Sequence, residues 1–128
     1  MTETGPSAHL RHVLYPADDL ERAVRFYTDG LGLTVTFTDG GRFAALDTGS
    51  GVALALAGDG EDVAGAVAAS FKVADVAGAV QRLVGAGATV VRGPEEGPHE
   101  TRAVLRDPSG NPFVIYASRP RPSAEPTG

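Results

Sequence analysis

The chain contains no cysteine. That excludes disulfides, thiolate metal sites and a cysteine nucleophile. Basic residues are the minority, 11 Lys and Arg against 16 Asp and Glu, for a net charge of −5. This balance argues against nucleic acid or an anionic membrane as the main partner. No apolar run approaches the roughly 20 residues that span a bilayer. Met1 to Ser7 lack the apolar core of a signal peptide. The cytoplasm is therefore the expected location. What is present is ordinary for a globular protein: 42% hydrophobic and 21% charged residues in 128. That length suits one domain with a core of its own. Ala, Gly, Val and Arg outweigh Ile, Lys and Asn, a bias of GC-rich bacterial genomes.

An internal repeat organises the chain. Gly30-Leu31-Gly32-Leu33-Thr34-Val35 matches Gly85-Ala86-Gly87-Ala88-Thr89-Val90 at an offset of 55. Upstream, Asp19, Ala23 and Val24 match Asp75, Ala79 and Val80 at an offset of 56. One residue of helix length reconciles the two. A repeat of this period means two copies of one supersecondary unit.

In the first copy, His9 to Tyr15 reads as a strand ended by Pro16. Asp18 and Asp19 offer N-cap oxygens, and Asp18 with Glu21 has capping-box spacing. Leu20, Ala23, Val24, Tyr27 and Leu31 share one helical face, and Gly30 and Gly32 stop the helix. Phe26 and Tyr27 are expected in the core. Leu33 to Asp39 alternates as a half-buried strand. Asp39-Gly40-Gly41 and Gly49-Ser50-Gly51 are turns around a strand at 42–48. In Val52 to Ala57, Leu54 and Leu56 share one face, and Ala53, Ala55 and Ala57 the other.

An acidic, Gly-rich link at 58–65 leads to the second copy. A strand is expected at 67–73, a helix capped by Asp75, a short strand at 89–92 and a loop at 93–99. Strands at 100–106 and 111–117 flank an Asp107-Pro108-Ser109-Gly110 turn. The proline-containing end, 118–128, is expected to be disordered, as a loose arm is at 1–7.

Common catalytic patterns are weak. Asp18-Asp19 is a helix cap, and Glu95-Glu96 lies in a loop, so neither pair suits acid–base work. Ser70 and His12 lack the elbow and oxyanion signature of a nucleophile and its base. The Gly-containing turns are not phosphate cradles.

Two β-α-β-β-β units in tandem, with three local motifs, resemble the vicinal oxygen chelate superfamily, which includes glyoxalase I, extradiol dioxygenases, fosfomycin resistance enzymes and bleomycin resistance proteins. The motifs are His12 seven residues before Asp19, the phrase FYTDGLGL at 26–33, and the DP-x-GN turn from Arg106 to Phe113. The resemblance implies an α+β domain of two βαβββ modules, about 9–57 and 67–117, that curl into half-barrels around a cavity. It also implies a homodimer. The family's metal enzymes carry a His or Gln on the first strand of each module and an acid on the last. Only His12 matches. Its repeat mate is Ala68, the first module's last strand offers Ala53 or Ala55, and the final position is Val114. One donor cannot hold a catalytic divalent ion. His9, three residues from His12, is expected on the opposite face. His99 lies near the cavity mouth. No metal and no other cofactor is expected.

The expected ligand-binding residues are His12, Leu14, Phe37, Phe43, Ala55, Ala68, Ser70, His99, Arg102, Val114 and Tyr116. Leu10, Ala66 and Lys72 are expected to extend that lining. Small residues at the centre with aromatics near the edge suit a flat organic ligand. The resemblance therefore points to a metal-free, bleomycin-resistance-type binder that sequesters an aromatic or polycyclic drug or natural product. The alternatives are a lyase, isomerase or oxygenase-like enzyme of the same superfamily, in natural-product biosynthesis or detoxification, and a regulatory module.

Overall fold

The computed structural model describes residues 8–58, 64–97 and 99–118. The chain runs β1 (Ala8–Pro16), α1 (Leu20–Leu31), β2 (Thr34–Asp39), β3 (Phe43–Asp47), β4 (Ala53–Ala57), β5 (Ala68–Val73), α2 (Val76–Gly85), β6 (Thr89–Glu96), β7 (Glu100–Arg106) and β8 (Pro112–Ser118). This is βαβββ twice over, an α+β fold. All eight strands form one sheet in the order β2-β3-β4-β1-β5-β8-β7-β6, which does not close into a barrel. At its centre β1 pairs antiparallel with β5, while β1–β4 and β5–β8 are parallel.

Both helices pack on one face. α1 covers Ala44, Leu46 and Leu56 through Leu20, with Tyr15, Val24 and Tyr27 packed alongside. α2 covers Val73, Ala103, Leu105 and Ile115 through Val76 and Ala79. The alternation in β4 is as the sequence indicates, since Leu54 and Leu56 join the α1 cluster and the alanines take the other face. Among the described residues no helix is long and apolar enough to cross a membrane.

Local chemistry sets the boundaries. Asp19 is the N-cap of α1 and accepts from the Arg22 amide at 3.1 Å. The expected capping box of Asp18 with Glu21 is not used, because the helix starts one residue later. Gly30 lies inside α1. Only Gly32 turns the chain, at φ 72°, a conformation glycine adopts without steric cost. That turn swings Leu33 onto the core, so Leu31, expected on the buried face, is left 67% exposed. Phe26, also expected inside, is 66% exposed. Asp75 stands at the N-cap of α2, but its side chain makes no capping bond.

Three strands depart from expectation. β2 is exposed along its whole length rather than half-buried, because it is a sheet edge. β6 runs on to Glu96, where a loop from residue 93 was expected. Its register slips by one residue between Arg92 and Glu95, and Gly93, at φ 85° before the cis peptide to Pro94, absorbs the extra residue. β5 begins at Ala68, so the exposed Ala66 lies outside the strand. Ser118, expected in the tail, ends β8. The rest of the tail, the arm at 1–7 and most of the link at 58–65 lie outside the described residues.

Candidate functional site

Cross-strand register identifies the residues that share the helix-free face. Directly paired residues point the same way, so rows can be followed across the sheet. One row is Phe37, Ala45, Ala55, Leu14 and Ala68. A second is Ala53, His12, Ser70, Val114 and Val104. A third is His9, Lys72, Tyr116, Arg102 and Glu95. Phe43 adds to the first region, its ring centroid 6.1 Å from that of Phe37. The expected residues therefore share one face, with His99 the exception. It is exposed in the connection between β6 and β7.

A bulge in β1 changes which neighbours His12 has. Register steps from Leu10 opposite Phe71 to His12 opposite Ser70, so Arg11 is the extra residue. Strict alternation placed Leu10 with His12 and His9 opposite. The bulge reverses both: Leu10 pairs with Phe71 of the helix-covered face, and His9 pairs with Lys72 of the open face. It also lets Arg11 join His12 beside Tyr116. The His12 and Tyr116 rings lie 5.8 Å apart at 45°. Burial, reinforced by the Arg11 charge, lowers the His12 pKa below its ordinary value, so the imidazole is neutral at pH 7. Burial raises the Tyr116 pKa, and the nearby Arg11 guanidinium partly opposes that rise. Arg11 was not among the residues expected from sequence, because periodicity cannot locate a bulge.

The centre of this face is closed to solvent. Ala55 is 0% exposed, Ala68 and Val114 3%, and Ser70 4%. The described helices are on the other face, so α1 and α2 are not what covers these residues. They form a floor rather than a contact surface. Leu14, His12, Phe43, Arg102 and Tyr116 are partly buried and Phe37 is exposed, so these side chains present the surface a ligand can touch. Ser70 lies directly opposite His12, but no hydrogen bond joins them. Arg102 lies 3.4 Å from Glu100, with Glu95 across the strand pair.

The family's metal positions can be tested against these side chains. His12 supplies an imidazole, whereas Ala53, Ala55, Ala68 and Val114 have no lone pair to donate. Among the described residues no three His, Cys, Asp or Glu converge in a way that could hold a metal ion. Among the described residues the donor set does not fit a divalent ion.

A hollow of about 570 Å³ lies on the opposite side of the sheet, beneath α2, walled by Phe71, Leu83, Phe113 and Ile115, with Arg82 and Asp107 also lining it. The repeat accounts for it. Leu83 stands where the first module has Tyr27, whose ring packs edge-on against Tyr15 at 6.2 Å. The smaller leucine leaves the equivalent space in the second module unfilled. None of the expected ligand-binding residues lines it.

The family model for the Glyoxalase/Bleomycin resistance protein/Dioxygenase superfamily matches residues 9–115. An uncharacterized protein of Mycolicibacterium smegmatis is 37% identical over 109 residues, 84% of this chain and 92% of its own length. Among solved structures, methylmalonyl-CoA epimerase from Mycobacterium tuberculosis aligns with a TM-score of 0.70 at 18% identity, covering 93% of this chain and 94% of its own. A glyoxalase/bleomycin resistance protein/dioxygenase superfamily member from Vibrio splendidus aligns at 0.66 and 21% identity, covering 84% and 98%. At these identities the two structures speak for the fold alone. With the family model spanning both βαβββ units, the chain belongs to the glyoxalase/bleomycin resistance protein/dioxygenase superfamily.

Proposed function

We propose that this protein binds a small organic molecule on the helix-free face of its sheet without a metal, in the manner of a bleomycin-resistance-type sequestering protein. One observation carries the reading: the positions where the superfamily's enzymes converge their donors hold Ala53 or Ala55, Ala68 and Val114 beside a lone His12. The side chains that reach solvent around this floor are Leu14, Phe37, Phe43, His12 and Tyr116, an aromatic and aliphatic surface with a polar end. Such a surface suits an aromatic or polycyclic drug or natural product. Burying roughly 200 Å² of apolar ligand would contribute about 5 kcal/mol before association costs. Micromolar affinity therefore needs polar anchors as well. The test is to dialyse the protein against chelator, titrate it with aromatic compounds by calorimetry, and weigh the recovered ligand by mass spectrometry. Binding with unchanged ligand mass is expected. Binding only after metal is added back would overturn the reading.

A second reading rests on His12 and Tyr116. A neutral imidazole 5.8 Å from a phenol ring is an available base next to an available acid. A time-dependent change in ligand mass would favour this metal-free enzyme. Pairing of two chains belongs to either reading, and the fully exposed edge strand β2, with Val35 and Phe37 outward, supports it.

A further inference from the structure

The third row of the open face is basic, in a chain whose net charge is −5. Lys72 sits directly between His9 and Tyr116 in the register. The bulge at Arg11 brings a guanidinium to the same tyrosine. The acidic residues of this end are already paired, because Glu100 lies 3.4 Å from Arg102 and Glu95 lies 3.4 Å from Arg92. Arg11 and Lys72 form no ion pair among the described residues. Two cations therefore flank one phenol at the edge of an apolar surface. The Arg11 guanidinium lies close enough to the Tyr116 phenol for its charge to act on it, and the phenol O–H is a donor.

We propose that the ligand of this face is an organic anion, with its carboxylate or chemically equivalent oxyanion held by Arg11, Lys72 and the Tyr116 hydroxyl while its apolar body lies over His12 and Leu14. The inference rests on the open-face binding reading and adds the ligand's charge. Arginine matches the planar fork of a carboxylate, and lysine adds a point charge. Charge-assisted hydrogen bonds are the strong ones, and each is sensitive to loss of either partner.

The test uses two probes of one shape, 2-naphthoate and the neutral 2-naphthamide, titrated calorimetrically into the full chain. Naphthoate should bind about tenfold or more tighter, the difference a single charge-assisted contact makes. Raising the salt should narrow that gap. Arg11→Gln and Lys72→Gln, both at exposed positions, should each reduce the preference, and the double variant should bring naphthoate to the affinity of naphthamide. Circular dichroism would verify that the variants fold. Equal affinity for the two probes in the wild type would overturn the anion inference and leave open-face binding standing. Failure of both probes to bind would overturn the binding reading and the inference with it.

Discussion

If three apolar side chains are what removes metal from this fold, restoring donors should return it. Ala68→His with Val114→Glu supplies two donors to the native His12. Val114 is two strands from His12, with Ser70 between them. Two strand spacings are about 10 Å, a gap that a glutamate and an imidazole leaning toward each other can close. Both sites are 3% exposed, so the metal-free variant should be weakened. A buried carboxyl raised by about 3 pKa units costs roughly 4 kcal/mol at neutral pH, and overpacking at Ala68 adds about 1–3 kcal/mol. Against a typical total of about 5–15 kcal/mol, the metal-free variant is left marginal. Zn²⁺ or Ni²⁺ at a hundredfold excess over its dissociation constant restores about 2.7 kcal/mol, roughly a 10 °C rise in Tm for a chain of this size. Thermal melts with metal and with chelator measure the effect. A variant whose Tm ignores metal would refute the placement of the donor positions. A wild-type chain with the same metal response would refute the claim that they have been lost.

Other perturbations test separate parts of the account. The folded-state pKa of His12 lies below its ordinary 6.5, so the unfolded chain binds more protons in the interval between the two values. Stability should fall as pH drops from 6.5 to the folded pKa, and His12→Gln should flatten that part of a Tm–pH curve. Leu83→Phe fills the hollow beneath α2 as Tyr27 fills its counterpart, and should gain about 1 kcal/mol in urea unfolding; a loss would show that this space cannot accept a ring. Light scattering at micromolar concentration should give about twice 13.1 kDa, and a monomer would remove pairing from the proposal.

Much of the architecture was legible because hydrophobic period and repeat agreed. The match of 30–35 with 85–90 located two βαβββ units, and the alternation of leucine and alanine in 53–57 assigned both faces of β4. What escaped the sequence was set by backbone irregularity. The Arg11 bulge exchanged the faces of His9 and Leu10 and brought Arg11 to Tyr116, yet residues 9–15 carry no glycine or proline to mark it. At Gly93-Pro94 the reverse occurred: a breaker pair read as a loop was carried inside an edge strand, where a proline's missing N–H costs no ladder bond. The depth of the alanine floor was also out of reach, because strand pattern gives the face a residue takes and not how far it is buried.

The central claim is that ligand lies on the helix-free face, over His12 and Tyr116, rather than beneath α2. Amide chemical-shift mapping during titration with 2-naphthoate tests it most directly. Shifts should concentrate at Arg11, His12, Leu14, Lys72 and Tyr116, with Leu83 and Ala86 unmoved. Shifts centred on α2 and the walls of its hollow, with β1 silent, would contradict it.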